Sequence, residues 1–365
     1  MRIAIVGAGI MGLSAAWALN RDGHRVDVFE QGPVPNPLGS SVDRHRLTRR
    51  PYGTALGYMR MFDAAQDAWD VLWDDLGARH YVETGFLLLD RGAPGWVADS
   101  VAALTEGGFP CQRFEPDEIA RAWPHVAVDG IEAGYLSPEG GALLAEKIVA
   151  DLAAHLRRRG VEVNANTPVA DVDPGNARLR LAGGGAVEAD VVVIAAGPWL
   201  PRLLPAMAGR VTPSRQIVTY AMPPADLAEA WATSPSILDI TPEVGVYVVP
   251  PVDGGAVKFG DHDFSMQGEP DKDREAGADE AARAFNAARP FLRDLDRYSL
   301  VEAKSCFYTV APEERFIVEP LERAWVLSGF TGHGFKFAAA IGLRLADAIA
   351  ERRTAADLTR WAAGR

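Results

Sequence analysis

An apolar run, a glycine-rich turn and a helical segment follow one another at the start of the chain. Arg2–Val6 predicts a buried strand, and Gly7–Gly12 predicts a turn. Ile10–Arg21 has helical composition, and Gly23 is suited to end that helix. Arg25–Glu30 predicts a second strand. The pattern therefore indicates a βαβ unit that starts with the first residues.

The same reading predicts further helices and strands along the rest of the chain. The clearest helix is Ala142–Arg159, in which Leu144, Ile148, Leu152 and Leu156 share one face. Other helices are predicted over Tyr52–Leu76, Pro116–Trp123, Asp279–Ala288 and Lys336 to about Arg352. Strands are predicted over Tyr81–Asp90, Val161–Val172, Ala177–Leu181, Ala189–Ala196, Glu302–Val310, Phe316–Val318 and Trp325–Ser328, with further short strands between 215 and 300. Because nucleotide-type elements occur at the start, middle and end, we expect two discontinuous domains.

Composition and charge narrow the class of protein. The 365 residues are 48% hydrophobic and 24% charged, as in an ordinary globular protein. A net charge of −12 argues against nucleic acid and against an anionic membrane as partners. The two cysteines, Cys111 and Cys306, define no disulfide framework and suit a reducing compartment. With no signal peptide and no apolar span, we expect a cytoplasmic protein.

The glycine-rich turn matches a dinucleotide-binding pattern, Gly7-Ala8-Gly9-Ile10-Met11-Gly12. Gly7 permits the tight turn, Gly9 lets the backbone approach a pyrophosphate, and Gly12 lets the helix pack closely on the strand. Glu30, at the end of the next strand, would accept hydrogen bonds from ribose hydroxyls and repel a 2′-phosphate. The turn therefore favours FAD or NAD over NADP, and a turn without a ligand is the alternative.

Four further segments carry candidate chemistry. Residues 39–49 concentrate cations in an acidic chain, and arginine can bind a carboxylate with two hydrogen bonds. Residues 329–337 place glycines and Lys336 at a helix start, where a lysine opposes the helix dipole and suits an anionic ligand. The other two segments are Lys304–Thr309 and Val257–His262. Alone, each also suits a solvated loop or an ordinary strand.

Three of these segments together resemble the family of monomeric sarcosine oxidase and N-methyltryptophan oxidase, which are D-amino-acid-oxidase-like FAD enzymes. Gly39–Arg49 is similar to the family pattern GSSHGxxRxxR, and Cys306–Thr309 is similar to CxYT. Gly329–Phe337 is similar to GFSGHGFKF with one Ser-to-Thr change. The resemblance covers essentially the whole chain and implies that FAD is the cofactor.

The resemblance implies an α/β fold in which a Rossmann-like FAD-binding domain is interwoven with an α+β substrate domain. The substrate domain is expected on a mixed, largely antiparallel sheet. We assign residues 1–80, 141–215 and 302–365 to the FAD-binding domain, and residues 81–140 and 216–301 to the substrate-binding domain.

The resemblance also implies roles for single residues. Arg49 and Lys336 match the pair that holds the substrate carboxylate, and Arg46 matches an arginine near the flavin ring. Lys258 matches the lysine at which oxygen is reduced, where a fixed positive charge would stabilise developing superoxide. Cys306 matches the cysteine bonded to the flavin, although a buried structural thiol is the alternative.

Two further residues, His262 and Tyr247, match the lining of the substrate cavity, and either could equally be a packing residue. The predicted cofactor contacts are Gly7, Gly9, Ile10, Met11, Gly12, Glu30, Ser40, Ser41, Arg46, Val169, Ala196, Gly197, Trp199, Cys306, Gly332, His333, Gly334 and Lys336. We expect no metal site.

The chain also departs from the family pattern. The family's histidine and glycine after Gly-Ser-Ser are Val42 and Asp43 here, and the acidic residue often found after Tyr52-Gly53 is Thr54. These positions surround the expected pocket. They therefore put the exact substrate in doubt more than the reaction.

We expect FAD-dependent oxidation of the C–N bond of a secondary or N-methylated amino acid, with O2 reduced to H2O2. The partners are then a small carboxylate-bearing amine and O2, and the protein is expected to be a monomer. One alternative is a dehydrogenase of the same fold that passes electrons to a carrier or quinone. Another is a flavin-binding protein without catalytic activity.

Overall fold

A parallel sheet forms the first layer of the fold. The computed structural model describes residues 1–241 and 245–365. The sheet has the order β19-β20-β13-β1-β2-β9, and all of its neighbours are parallel except the pair β19 and β20. Its strands are β1 (Arg2–Val6), β2 (Arg25–Phe29), β9 (Glu162–Asn164), β13 (Val191–Ile194), β19 (Ile317–Leu321) and β20 (Ala324–Ser328).

Helices cover this sheet because their apolar faces need burial. Side chains of β1, β2, β13 and β20 share one apolar core with residues of these helices. The helices are α1 (Ile10–Arg21), α2 (Leu56–Leu76), α5 (Ala145–Arg158), α9 (Ala338–Ile349) and α10 (Ala355–Ala362). Gly342 of α9 meets α1 so closely that an added Cβ would lie 2.4 Å from the Ser14 carbonyl oxygen. The helices thus fix the ends of β1 and β2.

An eight-stranded sheet forms the second large layer, in the order β18-β14-β17-β16-β15-β5-β7-β6. Its pairs are antiparallel except β15 and β5, which are parallel. Its strands are β5 (Phe86–Asp90), β6 (Gln112–Phe114), β7 (Ala133–Ser137), β14 (Thr212–Met222), β15 (Ser236–Ile240), β16 (Gly245–Val249), β17 (Val257–Asp261) and β18 (Ser299–Val310). The expected mixed, largely antiparallel sheet is confirmed.

Two small antiparallel sheets and five further α-helices are also present in the described residues. One sheet, β3-β8-β4, joins β3 (Arg46–Arg49), β8 (Gly140–Leu143) and β4 (Tyr81–Glu83). The other joins β10 (Val169–Asp173), β11 (Arg178–Leu181) and β12 (Ala186–Glu188). The helices are α3 (Trp96–Glu106), α4 (Pro116–Ala122), α6 (Leu200–Leu203), α7 (Ala228–Ala232) and α8 (Ala278–Asn286).

Two helix starts differ from the sequence prediction by three residues or more. Helix α2 begins at Leu56 rather than Tyr52, because Gly53 has a φ of +54° and its N–H donates to Ser100 Oγ at 2.8 Å. Helix α5 begins at Ala145 rather than Ala142, because the preceding residues form β8. Helices α3 and α10 were not predicted. The apolar patterns of the predicted segments were therefore more informative than their boundaries.

The assignment of residues to two domains stays a prediction. Strands β14 and β18 belong to the eight-stranded sheet, and each continues across a predicted boundary, at 215/216 and 301/302 respectively. Within residues 1–241 and 245–365, no helix is both long and apolar enough to cross a membrane.

Candidate active site

The turn after β1 is packed so tightly that only glycine fits at two of its positions. Gly7 has a φ of +102°, and an added Cβ would lie 2.4 Å from the Ala195 carbonyl oxygen. At Gly12 an added Cβ would lie 1.9 Å from the Gly7 carbonyl oxygen. Gly9 faces Ser41, whose hydroxyl accepts a hydrogen bond from the Ile10 N–H at 2.9 Å. The turn thus brings the start of α1 against the ends of β1 and β13.

Glu30 lies directly after β2, and its carboxylate is buried and held in place. It accepts hydrogen bonds from the N–H of Ala8 at 2.8 Å, the N–H of Gly32 at 3.1 Å and the amide of Asn36 at 2.9 Å. The sequence offered no signal for Asn36. These contacts fix the carboxylate beside the turn, where ribose hydroxyls of a bound dinucleotide would meet it.

A cavity of about 330 Å³ follows the turn. Fourteen of the predicted cofactor contacts line it. They are Gly7, Gly9, Ile10, Met11, Glu30, Ser40, Ser41, Arg46, Val169, Ala196, Gly197, Trp199, Gly332 and Gly334. Gly12 does not line this cavity, and its place in the structure is the contact between α1 and the turn.

A second cavity of about 680 Å³ adjoins the first. It is lined by all six residues predicted to act in catalysis, Lys258, Arg46, Arg49, Lys336, His262 and Tyr247. Three predicted cofactor contacts, Cys306, His333 and Lys336, also line this cavity rather than the first one. Both cavities share Arg46, Tyr308, Gly332 and Phe335, so the two spaces meet at these residues.

Two cations occupy one end of the second cavity. The guanidinium carbon of Arg49 lies 4.6 Å from the centre of the Tyr52 ring and 4.9 Å from that of Trp96, and Arg49 donates to the Pro51 carbonyl oxygen. Lys336 is buried and its Nζ donates to the Tyr52 hydroxyl at 2.9 Å. Burial and the neighbouring Arg49 hold the pKa of Lys336 well below its usual range. An anion bound here would favour the protonated form of the lysine.

The Tyr52 hydroxyl continues a chain of polar contacts. It lies 3.3 Å from His333 Nδ1, and His333 Nε2 lies 3.3 Å from the Glu314 carbonyl oxygen. Burial, Lys336 and other nearby cations hold the pKa of His333 well below its usual range, so the ring is neutral. With Nε2 protonated, Nδ1 accepts a hydrogen bond from the Tyr52 hydroxyl. The hydroxyl oxygen can then accept a hydrogen bond from Lys336.

A buried ion cluster lies at another part of the second cavity. Lys258 and Tyr220 are direct neighbours on β17 and β14, and both donate to the Asp43 carboxylate, Lys258 Nζ at 2.5 Å. Arg46 donates to the same carboxylate, and Lys258 Nζ also donates to the His45 carbonyl oxygen at 3.0 Å. Asp43 and Lys258 are 4% and 2% exposed. The sequence marked Asp43 as a departure from the family pattern but did not predict this contact.

Cys306 is a free thiol that lines the second cavity. Burial raises its pKa, Arg46 and Lys258 lower it, and Asp43 raises it. Tyr247 packs its hydroxyl over Gly260, and burial raises its pKa above the usual range. His262 Nε2 lies 3.0 Å from a carboxylate oxygen of Glu314, at a more exposed part of the cavity.

Residues 2–348 match the model of the DAO family, described as FAD-dependent oxidoreductases. The chain belongs to this family. The enzyme is similar to monomeric sarcosine oxidase of Bacillus sp. (strain B-0618), with 26% identity over 98% of this chain and 94% of that protein. It is also similar to N-methyl-L-tryptophan oxidase of Yersinia pestis (strain Pestoides F), with 26% identity over 93% of this chain and 92% of that protein.

Solved structures confirm the fold. The enzyme superposes on NikD, an amino acid oxidase of nikkomycin biosynthesis, with a TM-score of 0.83 and 22% identity, covering 99% of this chain and 96% of that one. L-proline dehydrogenase from P. horikoshii matches with a TM-score of 0.82 and 18% identity, covering 100% and 97%.

The residues present fit FAD. The turn at Gly7 and Gly12 leaves no room for side chains, which lets the backbone approach a pyrophosphate at the positive end of α1. Glu30 lies beside that turn. The first cavity continues from Glu30 to Arg46, where the second cavity begins. The enzyme is thus an FAD-dependent oxidoreductase with two adjoining cavities that share part of their lining.

Proposed function

We propose that this enzyme oxidises the C–N bond of a secondary or N-methylated amino acid. The amine loses two electrons and two protons, one hydrogen from carbon and one from nitrogen, so that a C=N bond forms. Water then hydrolyses the imine, and O2 takes up the two electrons and two protons as H2O2. The names of the two similar oxidases support this substrate class.

The observation that carries the proposal is the pair Arg49 and Lys336 in the second cavity. Lys336 donates a hydrogen bond to the Tyr52 hydroxyl rather than to a carboxylate. Arg49 donates a hydrogen bond to a backbone carbonyl oxygen and lies over the rings of Tyr52 and Trp96. Two cations enclosed in this way suit an anionic group that enters with the substrate. An amino-acid carboxylate meets that requirement and leaves the amine end inside the same cavity.

Each group of this chain then has a defined task. The turn at Gly7–Gly12 and Glu30 would hold the nucleotide half of FAD, and Arg46, Tyr308 and Gly332 would surround its other end. When bound, FAD supplies the two-electron redox chemistry. Arg49 and Lys336 hold and orient the substrate carboxylate, Tyr247 and His262 line the substrate space, and Lys258 provides positive charge where O2 is reduced.

A panel of amino acids tests the substrate class. Sarcosine, N-methyl aromatic and cyclic imino acids are mixed anaerobically with the enzyme, and loss of the flavin absorbance is measured. At least one N-substituted amino acid should bleach the flavin, whereas its decarboxylated analogue should do so only at much higher concentration. If no amine of the panel bleaches the flavin, the proposal fails.

We further propose that Cys306 is bonded covalently to FAD through a thioether, whose formation would remove the thiol proton and one hydrogen of a flavin methyl group, with O2 taking up the two electrons and two protons. Its thiol lines the second cavity, where Arg46 and Lys258 oppose the burial that raises its pKa. After precipitation with acid, the yellow colour should stay with the protein, and in the Cys306→Ser variant it should pass into the supernatant. Cys111→Ser is the matched control and should keep its colour. Colour lost from the parent protein would contradict the covalent bond.

A dehydrogenase that delivers electrons to a carrier or quinone is the second candidate. The pairing of Lys258 with Asp43 favours it, because a neutralised lysine attracts developing superoxide less strongly. Mixing the reduced enzyme with O2 in a stopped-flow instrument separates the two candidates, since slow reoxidation favours a carrier. We also propose a cytoplasmic monomer, which cell fractionation and size-exclusion chromatography test.

A further inference from the structure

Asp43 lines the second cavity, and the proposed reaction gives it no task. Its two carboxylate oxygens receive hydrogen bonds from Lys258, Arg46 and Tyr220, and from the Arg44 N–H at 2.9 Å. The family pattern has glycine at this position. Every one of these bonds therefore depends on a side chain that the family pattern lacks.

The cluster holds one carboxylate and two cations, so one positive charge is left uncompensated. With glycine at position 43, the same cavity wall would carry two uncompensated charges. Because the pair is buried, solvent screens it weakly, and the loss of a counter-ion acts strongly on both cations. The protonation of Lys258 therefore depends strongly on the charge of Asp43.

The other groups that face Lys258 do not replace that carboxylate. Arg46 repels the ammonium, and His45 is a buried ring whose pKa burial lowers to about 3, so it stays neutral. Tyr220 donates to Asp43, and burial keeps its hydroxyl protonated. Cys306 and Tyr247 line the same cavity, and burial raises the pKa of both, while Arg44 and Lys304 add positive charge over the Tyr220 ring.

Burial itself lowers the pKa of Lys258, and the charge of Asp43 opposes that effect. For Asp43, burial would raise the pKa of the carboxyl, but Lys258 and Arg46 hold it well below its usual range. Each partner of the pair therefore keeps the other ionised. Without Asp43, burial and Arg46 would both favour the neutral amine.

We propose that Asp43 is a positioning residue that keeps Lys258 protonated to a higher pH than burial alone would allow, while cancelling much of its charge. The inference rests on the proposed role of Lys258 in the reduction of O2. It implies that the wild-type enzyme transfers electrons to O2 at a moderate rate that holds to a higher pH than the rate of an enzyme without this carboxylate. A lysine without this carboxylate would react faster when protonated and would lose its effect once neutral.

The experiment measures the oxygen reaction without any amine substrate. FAD-loaded enzyme is reduced with dithionite, mixed with O2 at pH values from about 6 to 10, and the return of the flavin absorbance is followed in a stopped-flow instrument. The wild-type rate should stay level to a higher pH than the rate of Asp43→Asn. Asp43→Asn should be about tenfold faster than the wild type at the lowest pH, because one more positive charge faces the cavity. Its rate should then fall below the wild-type rate as Lys258 loses its proton.

Two further variants identify Lys258 as the group that titrates. Asp43→Asn combined with Lys258→Arg should be fast at every pH, because a guanidinium stays protonated. Lys258→Met should be slow at every pH whether or not Asp43 is present. Asp239→Asn is the matched control, since Asp239 is a buried carboxylate that pairs with Arg91 and lines neither cavity.

A second readout needs no FAD. In urea unfolding of the apoprotein, Asp43→Asn should be destabilised, and adding Lys258→Met should restore part of the loss, because the uncompensated ammonium is removed. Asp43→Asn with a flat oxygen rate, or with the same rate as the wild type at each pH, would overturn the inference. Because dithionite replaces the amine, that outcome differs from failure of the proposed substrate class, in which no amine bleaches the flavin.

Discussion

Lys336 combines full burial with a neutral partner, which makes it costly for the folded protein when no anion is bound. Its Nζ donates to the Tyr52 hydroxyl, and the positive Arg49 lies nearby. A cation kept in these surroundings loses hydration without gaining a counter-charge. A carboxylate that enters the cavity supplies the counter-charge, so the unfavourable free energy of burying Lys336 is offset when the anion binds.

We predict that Lys336→Met makes the apoprotein more stable, by about 2 kcal/mol at pH 7, and weakens binding of carboxylate substrates. The pKa of Lys336 is 10.5 in a free side chain and well below this when folded, so the unfolded chain binds more protons between those values. Stability of the wild type should therefore rise with pH up to about 10.5, relative to the variant. Urea unfolding at several pH values measures the difference.

Lys304→Met is the control for this substitution, because the half-buried Lys304 lies outside both cavities and pairs with Glu302 at 3.1 Å. It should leave stability and substrate binding nearly unchanged. A Lys336→Met variant whose stability follows the wild type in parallel at all pH values would contradict a buried lysine with a lowered pKa.

The contact between helix α1 and the turn after β1 requires a residue without a side chain at position 12. Gly12→Ala would place a Cβ 1.9 Å from the Gly7 carbonyl oxygen, which is backbone and cannot rotate away. We predict a loss of about 3 kcal/mol in the free energy of unfolding, together with much weaker FAD binding. Chemical unfolding and titration of the apoprotein with FAD measure the two effects.

Gly183→Ala is the matched control for that substitution. Gly183 lies in the turn between β11 and β12, has no positive φ, and an added Cβ would meet open space. Its unfolding free energy should change by no more than about 0.5 kcal/mol. Equal effects of the two alanines would show that crowding at the turn is unimportant.

Local patterns predicted the elements that bury an apolar face, and contacts between distant segments decided the rest. Helix α1 and strand β1 begin and end where the sequence indicates, because their burial and their glycines are local signals. Helix α2 starts late because Gly53 packs against Trp96 of α3, a contact that no local pattern contains. Position 43 was recognised as unusual, but its ion pair joins residues that are 215 positions apart.

At the scale of the whole molecule, the two cavities share part of one wall. Arg46, Tyr308, Gly332 and Phe335 line both spaces, and they come from β3, from β18 and from the segment before α9. Strand β18 belongs to the eight-stranded sheet. Helix α9 instead packs on α1, where Gly342 meets the Ser14 carbonyl oxygen. A ligand that fills one space therefore contacts residues that shape the other.

We predict positive coupling between FAD and a small carboxylate. FAD should tighten acetate binding about tenfold, equivalent to about 1.4 kcal/mol, because residues of the shared wall become ordered before the anion binds. Thermal unfolding of apoprotein and FAD-loaded protein across acetate concentrations measures the acetate affinity of each form, since a ligand stabilises the folded state by RT ln(1 + [L]/Kd). Lys336→Met should abolish the acetate effect but keep the FAD effect, and chloride at equal ionic strength is the control. Equal acetate affinity with and without FAD would show that the two cavities act independently, despite the residues they share.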